Sequence, residues 1–380
     1  MDWKIPLFKT YWDESDVEAV SEVIRRGTFW AVGPEIVEFE KKLAGFLERK
    51  YAVTFNSGTS ALHATLLAHD VTGSEIIVPS FTFIATANCV VLAGAKPVFA
   101  ECENQTFALD AEDVAERITE KTRAVVPIHY GGCPARDSKA LREVCDDHDI
   151  LLIEDAAESL GSRIGDMKTG TLGDSSMFSM CQNKVITTGE GGFVVTDSEK
   201  IYNKMELIRS HGRVEKGQDY FSTIEEMDYI EVGYNYRLPT MSAALGLSQL
   251  EKIGENIRRR RDVASKLDKK LRDIDGIRIP SFPRDFFHVY QMYTITLPDE
   301  KSRDGLQEHL TSRGVMSRIY FDPVHLKSLY RKMGGYKRGD LPKTESISKR
   351  VLTIPIYPGM LDVEIDSVCS EIHSYFTPKR

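Results

Sequence analysis

The sequence has no CxxC pair, no Cys/His cluster at zinc spacing and no apolar run long enough to cross a membrane. Its six cysteines, Cys89, Cys102, Cys133, Cys145, Cys181 and Cys369, are scattered along 380 residues. Scattering argues against a disulfide framework or a zinc site, and no metal is expected. It favours reduced thiols packed as small apolar groups. The first residues, MDWKIPLFKTYWDESD, lack the apolar core of a secretory signal, so a cytoplasmic location is expected. Positive charge is not in excess: 49 Lys and Arg against 57 Asp and Glu leave a net charge of −8. That balance argues against nucleic-acid binding, and an anionic ligand would need local groups to hold it. Internal repeats and low-complexity stretches are absent as well.

What is present is an ordinary globular composition, 42% hydrophobic and 28% charged, long enough for one large domain and a smaller one. Between about residues 50 and 200, short apolar runs alternate with helical patterns. SEIIVPS (74–80), AKPVFAEC (95–102), RAVVPIHY (123–130) and DILLIEDAA (149–157) read as buried strands. TSALHATLLAHD and DSKALREVCDDH read as helices between them, and SMFSM (176–180) and GGFVVTD (191–197) as two further strands. This alternation predicts an α/β fold with a mostly parallel sheet covered by helices. Beyond residue 250 the character changes. QLEKIGENIRRRRDVASKLDKKLRDI predicts one long charged helix, VYQMYTITLPD a strand and DGLQEHLTSRGV another helix. We therefore expect a large domain over 1–250 and a smaller α/β domain over 251–380, with the N-terminal segment packing against the latter.

Three short stretches carry chemistry. Lys184, in SMCQNKVITTGEGG, is a lysine in a mostly uncharged segment; in a partly desolvated pocket an amine gives up its proton more readily. Asp155 ends the strand LLIED, where parallel sheets build their sites; a helix cap or a structural ion pair would explain it equally. Ser57, Gly58 and Thr59 open a helix whose free N–H groups can hold an anion, although a plain N-cap accounts for SGT alone. TTGEGG (187–192) lacks the lysine and helix of a phosphate loop and reads as a tight turn between strands. An anion site, a carboxylate and an amine together suit a cofactor with a phosphate, a nitrogen heterocycle and an aldehyde, which is pyridoxal phosphate.

The ordered motifs resemble the DegT/StrS family of PLP-dependent nucleotide-sugar aminotransferases, which share the aspartate-aminotransferase fold type I. GTFWAVGPEIVEFE (27–40), NSGTSAL (56–62), VPSFTFIATAN (78–88), PIHYGG (127–132) and EDAAESLGS (154–162) carry it through the first half. FSMCQNKVITTGEGG (178–192), HGR (211–213), GYNYRLPTMSAALGLSQLE (233–251), FDPVHL (321–326) and IPIYPGM (354–360) carry it to the end. The resemblance implies that Lys184 is the Schiff-base lysine and that Asp155 pairs with the pyridine nitrogen. It further implies that Gly58, Thr59 and Ser179 hold the phosphate and that Phe83 and Ala157 lie against the ring's two faces. Asn235 would reach a phosphate across a homodimer with shared active sites. Implied substrates are a nucleotide-linked keto-sugar and L-glutamate, with no nucleic-acid or membrane partner. Glu158 departs from the Gln or His of many members, near the cofactor's phenolic oxygen, where a carboxylate needs a proton or a partner. His325 is expected near the substrate, and His129 is expected to brace a strand end by a hydrogen bond. Arg258–Arg261 is expected on a solvated or interface face. Lys184 itself argues against the family's sugar dehydratases, which carry histidine there. A non-catalytic member would have lost Lys184, Asp155 or the SGT segment, and GYNYR and FDPVHL argue against cysteine desulfurases.

Overall fold

The apolar runs assemble into one seven-stranded sheet in the structure, a computed structural model that describes residues 3–214, 224 and 226–377. Its strands are β1 (Tyr51–Phe55), β2 (Glu75–Pro79), β3 (Lys96–Ala100), β4 (Thr122–Val125), β5 (Leu151–Asp155), β6 (Ser175–Ser179) and β7 (Gly192–Thr196). In space they run β1-β7-β6-β5-β4-β2-β3. From β3 to β6 every neighbouring pair is parallel, while β7 runs antiparallel to both β6 and β1. The α/β architecture with a mostly parallel, helix-covered sheet is thus as expected. The sequence reading did not include β1. YAVTF follows the helix Pro34–Leu47 after only residues 48–50, with no Gly or Pro turn to set it apart.

Val53, Ile76, Val78, Phe99, Ala124 and Ile153 bury one sheet face against the helix Gly58–Ala68 and its neighbours. Phe178 and Phe193 on β6 and β7 pack on the other face, stacked at 4.7 Å. Burying each such side chain contributes roughly 1.5–3 kcal/mol. This sheet positions the site, because the carboxyl ends of β5 and β6 deliver Asp155 and Ser179 to one edge.

A second core gathers Ile5, Val263, Leu267, Leu271, Tyr293, Ile295, Leu352, Ile354 and Val368. It is built on the antiparallel pair β8 (Tyr293–Thr296) and β9 (Val351–Ile354). The N-terminal segment joins it, with hydrogen bonds from Ile5 N–H to the Gly314 carbonyl and from Met316 N–H to the Ile5 carbonyl. In place of the single helix expected near residue 250 there are two, Thr240–Glu251 and Ile253–Leu271, separated at Lys252. The second contributes Ile253 and Ile257 to the core around the sheet and Val263, Leu267 and Leu271 to the other, so it ties the two together. Within the arginine run expected on a solvated or interface face, Arg260 is buried, and its Nη1 donates to the Tyr290 carbonyl.

Candidate active site

A cleft of about 580 Å³ opens where β5 and β6 end, closed on its far side by residues 318–327. Gly58, Thr59, Phe83, Asp155, Ala157, Glu158, Ser179 and Lys184 all line it. Residues separated by more than a hundred positions in sequence thus meet at one sheet edge.

Asp155 is buried with no cation within ion-pairing distance among the described residues. Its Oδ2 accepts from the Thr86 hydroxyl at 2.9 Å and its Oδ1 from the Ala157 N–H at 3.2 Å. Burial pushes the carboxyl above its ordinary value, and those two hydrogen bonds only partly oppose it. The strand end is braced from behind. His129 Nδ1 accepts from Ala135 N–H at 3.0 Å, so the Nε2 facing Glu154 at 2.9 Å carries the ring's proton. Burial would raise the Glu154 carboxyl, but the His129 bond and the N–H groups of Gly170 and Gly173 hold it well below the carboxylate range.

Lys184 projects from a turn in which its N–H bonds the Cys181 carbonyl at 2.9 Å. The neutral stretch in sequence does not give it a neutral setting: Glu158 Oε1 stands 3.4 Å from Nζ. Glu158 is itself anchored by Gly131 N–H, 2.8 Å from Oε2. The unusual carboxylate therefore has the partners it needs, from segments that sequence spacing does not connect.

At the helix start, Ser57 Oγ caps Ser60 N–H at 3.0 Å, so Gly58 and Thr59 begin the helix with N–H groups it cannot satisfy. A Cβ at Gly58 would come 3.0 Å from the Ser179 Cβ, and one at Gly192 would come 2.6 Å from the Gly58 nitrogen. The absent side chains let the helix start approach Ser179 closely. Phe83 projects into the cleft 61% exposed, its ring tilted against Phe321 at 6.5 Å and with no described residue stacked on it.

Two expectations, for His325 and Cys181, meet a different structure. His325 lies outside the cleft wall, fully buried, with Nδ1 2.6 Å from Ser80 Oγ and Nε2 3.3 Å from Glu345. It has no surface with which to touch a substrate. Its place in FDPVHL suggested the site, but the helical turn Val324–Leu326 points it inward. Cys181, unlike the other five cysteines, is half-buried and lines the cleft. Asn235, expected to act across a dimer, does not line this chain's own cleft; it is exposed, and its carbonyl accepts from Asn56 Nδ2 at 3.3 Å. Sequence spacing alone singles out neither Thr86, four residues after Thr82 in VPSFTFIATAN, nor Arg318, three residues before FDPVHL. Arg318 is held by paired backbone bonds to Thr353 on β9, and its guanidinium lies 5.1 Å from the Tyr320 ring centroid.

A pyridine nitrogen bearing a proton supplies the countercharge that buried Asp155 lacks, and the exposed Phe83 face and open helix start suit a ring and a phosphate. The residues present fit pyridoxal phosphate. The model of the DegT/DnrJ/EryC1/StrS aminotransferase family matches residues 10–373. This chain belongs to that family. It is a PLP-dependent sugar-aminotransferase-family enzyme, in keeping with the resemblance read from its motifs. Among its relatives, the GDP-perosamine synthase of Vibrio cholerae is 36% identical over 98% of this chain and 99% of its own length. The spore coat polysaccharide biosynthesis protein SpsC of Bacillus subtilis is 32% identical over 98% of this chain and 96% of its own. Among solved structures, the Helicobacter pylori aminotransferase PseC, involved in the biosynthesis of pseudoaminic acid, superposes with a TM-score of 0.90 at 28% identity. That match covers 98% of this chain and 99% of PseC. No helix among the described residues of this aminotransferase is long and apolar enough to cross a membrane, and none of their His, Cys, Asp and Glu side chains form a group that could hold a metal.

Proposed function

We propose that this enzyme moves the amino group of L-glutamate onto the carbonyl carbon of a nucleotide-linked keto-sugar. One observation carries the reading: Lys184 and the buried, uncompensated Asp155 share one cleft with a helix start and an exposed aromatic face. GDP-perosamine synthases among the relatives support a GDP-linked sugar as the first candidate.

In this reading Lys184 would hold the cofactor, and its amine, set at the reacting centre, would take the proton from the donor's Cα. When bound, the cofactor would supply a conjugated ring as an electron sink. Asp155 would keep a proton on the ring nitrogen, and Thr86 keeps Asp155 aimed. Glu158, fixed by Gly131, holds the lysine amine near the reacting carbon between steps. Gly58, Thr59 and Ser179 would hold the phosphate, and Phe83 and Ala157 would lie against the ring. Arg318, on the far wall of the cleft, supplies positive charge for a carboxylate or a diphosphate, while Lys327 beside it is paired with Asp322 at 2.8 Å. Asn235 acts across a homodimer. Exposed Ile230, Val232 and Tyr234 just before it offer the apolar surface that a second copy would cover.

The test is direct. Protein loaded with PLP is expected to lose its visible absorbance on adding glutamate, and to regain it with one keto-sugar of a panel that varies nucleotide and carbonyl position. Loss with no member of the panel restoring it would remove the sugar from the proposal. The phosphate seat has its own check. Gly58→Ala is expected to weaken PLP affinity about tenfold, or ~1.4 kcal/mol, because its Cβ crowds Ser179. Titration of cofactor-free protein reads this out, and an unchanged affinity would place the phosphate elsewhere.

A further inference from the structure

Lys184 lies in neither helix nor strand, so no ladder of backbone bonds fixes its main chain. The carbonyls on either side of it are instead taken by amide side chains from distant parts of the sequence. Gln291 Nε2 donates to the Asn183 carbonyl at 2.6 Å, and Asn256 Nδ2 donates to the Val185 carbonyl at 3.3 Å. Both amides are buried, Asn256 at 1% and Gln291 at 5% exposure. Neither lines the cleft. Asn256 stands on the helix that ties the two cores together, and Gln291 stands two residues before β8. A third carbonyl, that of Gln182, accepts from the Thr10 hydroxyl at 3.0 Å, but at the surface, where water competes.

We infer that Gln291 and Asn256 are positioning residues that clamp the backbone on both sides of Lys184 and so set where its amine stands. The inference rests on the reading of Lys184 as the cofactor-bearing residue. A lysine side chain reaches about 6 Å, so a tilt of about 10° at its Cα moves the amine by about 1 Å, enough to cost a proton transfer up to about 100-fold. Two buried bonds, one to each neighbouring carbonyl, oppose that tilt where the local turn alone does not. Because both donors belong to segments that pack with the second core, the clamp also ties the lysine's position to the seating of that core.

The test compares the PLP-loaded parent with Gln291→Met and Asn256→Leu, which keep size and remove the donor. Two quantities are read: the pH midpoint of the visible absorbance of the lysine-bound cofactor, and the single-turnover rate with glutamate at several concentrations. Each variant is expected to shift the midpoint and to slow the glutamate step by about 10- to 100-fold, with half-saturating glutamate within roughly twofold of the parent. A residue that only stabilised the fold would lower the melting temperature and leave both quantities alone. Should these substitutions prevent folding, Gln291→Asn, which keeps the amide but draws it back by one methylene, is expected to move both readouts in the same direction. Folded variants with the parent's absorbance midpoint and rate would overturn the clamp. A parent that does not carry PLP on Lys184 would instead overturn the functional reading, so the two failures are distinct.

Discussion

Lys184→Ala is expected to cut turnover by at least about 1,000-fold while the protein remains folded, since it removes both the cofactor's anchor and the base that moves the proton. The fold should survive because Lys184 sits in a turn and not in either core. Glu158 loses its 3.4 Å partner but keeps the Gly131 N–H and some contact with solvent. Lys184→Arg separates charge from chemistry. It keeps a cation beside Glu158 but does not release a proton at working pH, so it should be about as inactive as the alanine variant. Single-turnover absorbance with glutamate measures both. Either variant within about tenfold of the parent would mean that the proton moves through another group.

Asp155→Asn should have the second largest effect, a fall in turnover of about 100- to 1,000-fold with PLP still bound. Asparagine keeps the size of the side chain and can still accept from Thr86, but it no longer holds a proton on the ring nitrogen. Stability should respond in the opposite sense. Burial holds the Asp155 carboxyl above its ordinary value, so the folded, cofactor-free chain keeps that proton to higher pH than the unfolded chain does. Its stabilising contribution is therefore full below the unfolded value of about 3.9 and is lost as pH rises through the folded value. At neutral pH the cofactor-free parent therefore carries the cost of burying this carboxyl, as a charge or by taking up a proton, which asparagine removes. Cofactor-free Asp155→Asn should thus melt no earlier than the parent at pH 7, while PLP should raise its melting temperature less. A variant that melts earlier in both forms, with unchanged turnover, would make Asp155 a structural residue only.

The parallel strands and the helix start were legible in the sequence because their signals are local. Short apolar runs with polar ends, Val- and Ile-rich in all but β6, mark the strands β2 to β7, and Ser57 with its glycine marks the helix start. Lys184 and Asp155 were legible for a related reason, since each interrupts an apolar or uncharged run that needs an explanation. What the sequence did not reveal depends on contacts between distant segments. Glu158 looked like a carboxylate in need of a partner, and only the fold places Lys184 and Gly131 beside it. His325 looked like a site residue because of its neighbours in the chain, and one short helical turn sends it into the interior. Gln291 and Asn256 carry no local signal at all. A glutamine near a strand and an asparagine on a charged helix acquire meaning only when their amides meet the carbonyls flanking Lys184.

The central claim is that Lys184 is the residue that bears the cofactor in this cleft. Borohydride reduction of the PLP-loaded protein, followed by proteolysis and peptide mass spectrometry, tests it most directly. The account predicts one pyridoxyl-phosphate mass increment, on the peptide containing Lys184. An increment on any other lysine, or none after reduction of a visibly loaded protein, would contradict it.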